Sequence, residues 1–265
     1  MEFVVFVGPQ KTASSWVYDV LKVNPDLAFP KGTKETFFWD EFYLKGLDWY
    51  LSLFDNSYKT ISEVGPSYFT SIPAMNRIKE HFPNAKVVIT LRDPVKRAFS
   101  MYLHHKNKGR HDLDFWSANE KFPEILEGSR FSKFIPLWQS AFGKENVLII
   151  YPEDVPSNPY LTIENICKFL NVSATFDKNL INKSSNSAIV PRSFLFAKLM
   201  NTLSRMFRSF GLYRVVNFFK DLGLKKVMYS KTKQVQKISP ELNAELLEFF
   251  SSEYKYLEKI KNNTK

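Results

Sequence analysis

The chain has 265 residues, 44% of them hydrophobic and 24% charged, with 25 phenylalanines and one cysteine, Cys167. This is the composition of a globular protein with ample core material, and it excludes global disorder, a collagen-like repeat and an intrachain disulfide framework. The formal charge is +10, and the stretch Arg192–Lys237, with eleven Lys/Arg and a single acid, carries all of that excess and predicts an anionic partner.

The first predicted element is a buried strand, Phe3–Val7, followed by a turn, Gly8–Ala13, and a helix, Ser14–Leu21, with Ser14 or Ser15 placed to cap it. Lys59–Glu63 reads as a strand and Ile72–Phe82 as a helix. Ala85–Leu91 is a β-branched run that breaks at Arg92-Asp93-Pro94-Val95; Asp93 at a cap and Pro94 at the first helical position start a helix running toward Lys106. Asn146–Tyr151 is a further strand and Tyr160–Leu170 a further helix. Asn179–Ser187 reads as a loop and Arg192–Phe219 as a basic, aromatic segment with helical spacing. Pro240–Lys261 reads as one final helix whose apolar face is Leu242, Leu246, Phe249, Phe250 and Leu257.

Alternating strands and helices predict an α/β fold: a P-loop-like parallel sheet flanked by helices, with a helical basic C-terminal extension. We expect one domain over residues 1–265, with its core in 1–172 and the loop and extension in 173–265. Ligands of such sheets bind at the carboxyl ends of the strands, so the turns after Val7 and Leu91 open there and Lys11 and Arg92 face one crevice. Phe3–Val7 is too short for a signal peptide and no apolar run nears the ~20 residues of a membrane span, so the expected location is cytoplasmic.

Two segments carry chemistry. Gly8-Pro-Gln-Lys-Thr-Ala-Ser-Ser-Trp16 joins a strand to a helix N-terminus, where amides and the helix dipole bind phosphate, and Lys11 adds a charge. No glycine directly precedes Lys11, so this is not a Walker A loop. Taken alone it reads equally well as a plain strand–helix turn with a surface lysine. In Arg92–Tyr102, the guanidinium fork of Arg92 suits phosphate oxygens. Arg97 is explained by an i,i+4 pair with Asp93; Arg92 is not.

Together these segments resemble the sulfotransferase family, in particular its glycan and heparan-sulfate branch. Lys11-Thr-Ala-Ser-Ser-Trp16 resembles the family's 5′-phosphosulfate loop, and Leu91-Arg-Asp-Pro…Arg97…Ser100-Met-Tyr102 its 3′-phosphate motif. Lys34-Glu-Thr-Phe-Phe-Trp-Asp40, Gly46-Leu-Asp-Trp-Tyr50, Glu63-Val-Gly-Pro-Ser-Tyr68 and Pro152-Glu-Asp-Val155…Phe169-Leu-Asn-Val172 are similar to further segments of that branch. The order holds from residue 4 to about 172.

The resemblance implies a 3′-phosphoadenosine-5′-phosphosulfate (PAPS) donor, adenosine 3′,5′-bisphosphate (PAP) as product, and sulfuryl transfer to a hydroxyl, or less favourably an amine, of a carbohydrate or glycosylated small molecule. It places Lys11, Thr12, Ala13, Ser14, Ser15 and Trp16 around the 5′-phosphate, and Arg92 and Ser100 on the 3′-phosphate. Lys11 stabilises the leaving group, Lys34 assists at the sulfuryl oxygens, and Glu35 is the general base, with His104 and His105 as alternatives. Glu63 either joins the site or orders its loop. No metal and no nucleic acid is expected.

The sequence departs from the family pattern at Ala13, Val64, Gly65 and Pro152; with Ala13 in place of the usual glycine the loop can still work if that residue needs no positive φ. The competing readings are a P-loop nucleotide kinase-like enzyme and a non-catalytic polyanion- or membrane-binding protein. Arg192–Lys237 is read as a lid or core segment before a membrane-surface contact, and the oligomeric state is open.

Overall fold

Five short apolar runs line up as one parallel sheet. The computed structural model describes residues 1–151, 153–181, 190–191, 229–230 and 236–262. Its strands are β1 (Glu2–Phe6), β2 (Leu27–Ala28), β3 (Thr60–Val64), β4 (Lys86–Thr90) and β5 (Val147–Ile150), ordered β2-β3-β1-β4-β5 and all parallel. Val4, Val5 and Phe6 on β1 and Val87, Val88 and Ile89 on β4 are fully buried, which is why these strands read as unbroken apolar runs instead of alternating ones. Val190–Pro191 and Tyr229–Ser230 form a separate antiparallel pair.

Helices cover both faces. α1 (Ser14–Leu21) and α9 (Pro159–Leu170) pack Trp16, Val20, Ile163 and Ile166 against Val4, Phe6 and Val88. On the other face, α3 (Ile72–His81) and α7 (Phe131–Phe142) pack Ile78, Phe134 and Trp138 against Phe3, Val5, Val87 and Ile89, joined there by Tyr50 of α2 (Leu47–Ser52) and a π-helical turn at Phe38–Phe42. A third cluster, beside the sheet, unites α4 (Pro94–Asn107), α5 (Phe115–Lys121) and α6 (Glu124–Glu127) through Met101, Tyr102, Phe115 and Ile125. α8 (Asp154–Ser157) and α10 (Lys178–Ile181) are single turns.

The sequence reading holds for the order of the strands and helices it named and departs at three points. The expected final helix is two, α11 (Pro240–Phe249) and α12 (Ser251–Asn262). Leu246 and Phe250 bury in the third cluster, whereas Tyr256, Leu257 and Ile260 pack on the α3–α7 face of the sheet; the bend at Phe250 lets one segment serve both. No serine caps α1: its N-cap is Ala13, left-handed at φ 71°, with no side-chain bond. Arg97 does not pair with Asp93. Its guanidinium is buried, bonded to Ser129 Oγ at 2.5 Å and to the Ile125 carbonyl, while Asp93 caps α4 through the Lys96 amide at 2.8 Å. Nearly all of Arg192–Lys237, and Pro152, lie outside the described residues.

The chain leaves β1 for β2 and β3 on one side, then crosses over to β4 and β5 on the other. The carboxyl ends of β1 and β4 therefore flank the point where the winding reverses, which is where α/β sheets open a crevice.

Candidate active site

The loop after β1 is held by its own backbone. Thr12 Oγ1 lies 2.6 Å from the Pro9 carbonyl, as donor, and 2.8 Å from Thr90 Oγ1 at the end of β4. A Cβ at Gly8 would fall into the Thr90 backbone, so only glycine allows loop and strand to approach this closely. Lys11 and Ala13 are both left-handed, at φ 77° and 71°, a conformation that costs a non-glycine residue about 1–2 kcal/mol. Ala13 thus does take the positive φ that the usual glycine would adopt without strain. The strained turn leaves the first amides of α1 without a capping side chain, and the Ser14 and Ser15 hydroxyls beside them meet Lys34.

Three cations converge on this opening. Arg92 Nη1 donates to the Lys11 carbonyl at 3.2 Å. Lys34 Nζ lies 3.1 Å from Ser15 Oγ and 3.5 Å from Ser14 Oγ. Burial, together with the charges of Arg92 and Lys34, lowers the Lys11 pKa, and burial lowers that of Arg92. A half-buried cluster of like charges favours the approach of an anion. The same Lys34 ammonium stands 2.8 Å from Glu35 Oε1, so one cation links the carboxylate to the loop hydroxyls. Their side chains are only 20% and 24% exposed, so this is not a solvated surface pair.

The two histidines part company. His104 feels the positive charge of Lys11; burial first and that charge second push its pKa down to about 2, so the ring stays neutral. Ser100 sits one turn earlier on the same face of α4. His105 is fully buried on the next face, stacked on Phe122 with ring centroids 4.5 Å apart and paired with Glu124 at 3.2 Å. Packed so, it is closed off from the crevice. Trp16 likewise belongs to the core: it is buried and donates to the Ile181 carbonyl at 2.9 Å.

Two relationships were not legible in the sequence. Glu63, at the end of β3, is wholly inaccessible. It accepts hydrogen bonds from the Thr36 amide (2.9 Å) and hydroxyl (2.5 Å), Tyr50 (2.9 Å) and Tyr68 (3.0 Å). Each partner sits inside a segment that carries the family resemblance; their convergence on one carboxylate is visible only in the fold. From the far end of the chain, Tyr254 of α12 donates to Asp93 Oδ2 at 2.7 Å, beside Arg92.

Residues 2–194 match the Sulfotransferase domain family. The chain belongs to that family. Its members are PAPS-dependent sulfuryl-transfer enzymes. Among curated relatives, the sulfotransferase domain is 28% identical over 201 residues to the mouse bifunctional heparan sulfate N-deacetylase/N-sulfotransferase 1, covering 66% of this chain and 22% of that protein. The Caenorhabditis elegans counterpart is 25% identical over 186 residues, covering 64% and 22%. The chain thus spans about a fifth of the length of these relatives. A solved sulfotransferase from Alicyclobacillus acidocaldarius superposes with a TM-score of 0.59 at 23% identity, covering 82% of this chain and 96% of that one, and shares the fold. Among the described residues no group of three or more His, Cys, Asp or Glu is arranged to hold a metal, and no helix is long and apolar enough to cross a membrane.

Proposed function

We propose that this sulfotransferase moves the sulfuryl group of PAPS to a hydroxyl, or less favourably an amine, of a carbohydrate or glycosylated small molecule. The observation that carries the reading is the line from Glu35 through Lys34 to Ser15, ending at the loop where Lys11 and Arg92 meet. An anion site and a carboxylate joined by one shared ammonium suit a reaction in which an anionic group is gripped while a neutral nucleophile loses a proton. The residues also fit a bisphosphorylated nucleotide: uncapped amides and hydroxyls for one phosphate, and for a second the Arg92 fork, with Ser100 of α4 as the further donor that the family resemblance assigns.

PAPS supplies a sulfur centre with a phosphate leaving group. The loop amides, Ser14 and Ser15 bind the 5′-phosphate, and Lys11 offsets the charge that grows on its bridging oxygen. Lys34 orients the sulfuryl oxygens. Glu35 takes the acceptor proton as the acceptor oxygen or nitrogen bonds to sulfur and the sulfur–phosphate oxygen bond breaks. Thr12, its hydroxyl committed to Pro9 and Thr90, shapes the loop, and Trp16 anchors α1 from the core. A resemblance to heparan sulfate N-sulfotransferases supports a sugar acceptor.

The direct test is calorimetric titration with PAP in the absence of magnesium, with AMP and ADP as controls. Binding that requires the 3′-phosphate supports the reading. Equal binding of all three, or none, overturns it.

A further inference from the structure

The buried carboxylate of Glu63 is next to the catalytic segment yet is absent from the reaction just described. It is the only ionised or ionisable acid on β3, and it lies beside Val5 in the register with β1, one residue before the strand ends at the crevice. Four donors meet it: the Thr36 N–H, the Thr36 hydroxyl, Tyr50 of α2 and Tyr68 of the short turn after β3. A carboxylate has about four lone-pair positions, so the ionised form satisfies every donor. All four residues, Glu63, Thr36, Tyr50 and Tyr68, are fully buried, and no water bridge is needed to complete the set. Thr36 follows Lys34 and Glu35 directly. Its hydroxyl, while donating to Glu63, also accepts from the Phe38 amide at 3.1 Å and so pins the turn into the π-helical segment. Whatever holds Thr36 sets where Glu35 and Lys34 lie.

Gly65 shows how closely the clamp is built. A Cβ there would fall into the ring of Tyr68. Glycine at the position where the sequence departs from the family pattern is what allows the ring to lie on the backbone with its hydroxyl on Glu63.

We propose that Glu63 is a positioning residue for sulfuryl transfer: its ionised carboxylate holds the segment Lys34–Thr36 at the loop, and proton uptake by that carboxylate loosens the segment and slows turnover. The Thr36 amide and hydroxyl and Tyr68 all donate to Oε1 and Tyr50 alone to Oε2, so a proton taken up on Oε2 faces the Tyr50 hydroxyl; either Tyr50 turns to accept it and gives up its own bond, or the new hydrogen goes unpaired, and the cluster must rearrange. Other charges bear on it little by contact: Tyr50 and Tyr68 remain neutral, their pKa values raised by burial and by Glu63 itself, and Asp40 is the next acid, acting on Tyr68. Burial raises the Glu63 pKa to about 7, against the four hydrogen bonds that lower it, which brings the switch into the working range. This inference rests on the catalytic role proposed for Glu35 and Lys34.

The test follows the backbone amides of Glu35 and Thr36 by nitrogen-15 NMR from pH 5.5 to 8.5, with PAP affinity measured on the same samples and turnover measured with PAPS and N-desulfated heparin as the probe acceptor. In the wild type both amides shift with one midpoint near pH 7. Glu63→Gln abolishes that titration, lowers kcat about 10- to 100-fold at pH 8 and leaves the donor KM and PAP affinity within about twofold. Tyr68→Phe removes one donor from the ionised form, so it moves the midpoint up by about one pH unit and keeps the fold if Glu63→Gln does not. A wild-type protein that binds PAP but shows flat Thr36 and Glu35 amides, or a Tyr68→Phe midpoint that does not move, overturns the clamp alone. A wild-type protein that does not bind PAP overturns the functional reading, and with it any role of Glu63 in transfer.

Discussion

Arg92 donates to the main-chain carbonyl of Lys11 at 3.2 Å, so two basic residues 81 positions apart form one unit. The guanidinium adds its charge to that of Lys11 and holds the carbonyl of Lys11, itself left-handed, and on the proposed function it also grips a phosphate. Arg92→Ala should therefore weaken PAP binding by about 10- to 100-fold, the worth of one or two charge-assisted hydrogen bonds. Arg92→Lys should restore little, since an ammonium cannot fork between a phosphate and a carbonyl. Calorimetry reads both; full recovery in the lysine variant would reduce Arg92 to a point charge.

The roles proposed for Glu35 and Lys34 should be separable by mutation. Glu35→Gln keeps the shape of the side chain and the loop contacts of Lys34, so PAP affinity should hold while turnover falls about 10²- to 10⁴-fold, the usual worth of a general base. Turnover at the wild-type rate would remove Glu35 from the chemistry and bring forward His104, whose neutral ring faces Lys11.

The loop carries strain that a single atom sets. Ala13 at φ 71° should be relieved by glycine. The gain in the folded state, about 1–2 kcal/mol, exceeds the entropy lost to a freer unfolded chain, about 0.5–1 kcal/mol. Ala13→Gly should thus raise the unfolding free energy by about 0.5–1 kcal/mol, measured in urea. Gly8→Ala has the opposite sign, because its Cβ would strike Thr90. A less stable Ala13→Gly protein would mean that the loop conformation is not strained at this residue.

Acid should unfold the protein partly through His104. The unfolded ring takes a proton near pH 6.5 and the folded one only near pH 2, so its stabilising effect is complete above 6.5 and is lost as the pH falls. Glu63 has the contrary sign: its folded carboxyl holds a proton up to about pH 7 and the unfolded one only to about 4.5, so its contribution is complete below 4.5 and fades as the pH rises to 7. Replacing His104 by glutamine removes the first slope alone. Between pH 7.5 and 5 the variant should lose about 2 kcal/mol less unfolding free energy than the wild type. Parallel urea curves for the two proteins at both pH values would show that the ring is not kept neutral by the fold.

The sheet was legible because its strands are buried on both faces: Phe3–Val7, Ala85–Leu91 and Asn146–Tyr151 spell themselves out as apolar runs. Asp93-Pro94 announced α4 for an equally local reason, a capping side chain and a missing amide. The region between residues 108 and 142 was silent. Its main helix, α7, carries Pro136 in its interior, a residue that locally argues against a helix and is tolerated here where Ile135 and Trp138 bury against the sheet. The site divides in the same way. Lys11, Lys34, Glu35 and Arg92 were named from contiguous segments, and the fold brings them together. The left-handed Ala13, the true partner of Arg97 and the four-donor grip on Glu63 depend on contacts from residues 5 to 32 positions distant or on backbone torsion, neither of which leaves a mark in spacing.

Tyr254 and Glu253 give the fold an order in time. Glu253 accepts from the Ser132 amide and hydroxyl at the start of α7, and the neighbouring tyrosine bonds Asp93 at the cap of α4. A ribosome that has released only the first two hundred residues has made every strand of the sheet, yet the turn bearing Arg92 still lacks the hydroxyl that braces its cap. During synthesis, then, the brace on the Arg92 turn comes from residues that emerge after every strand of the sheet.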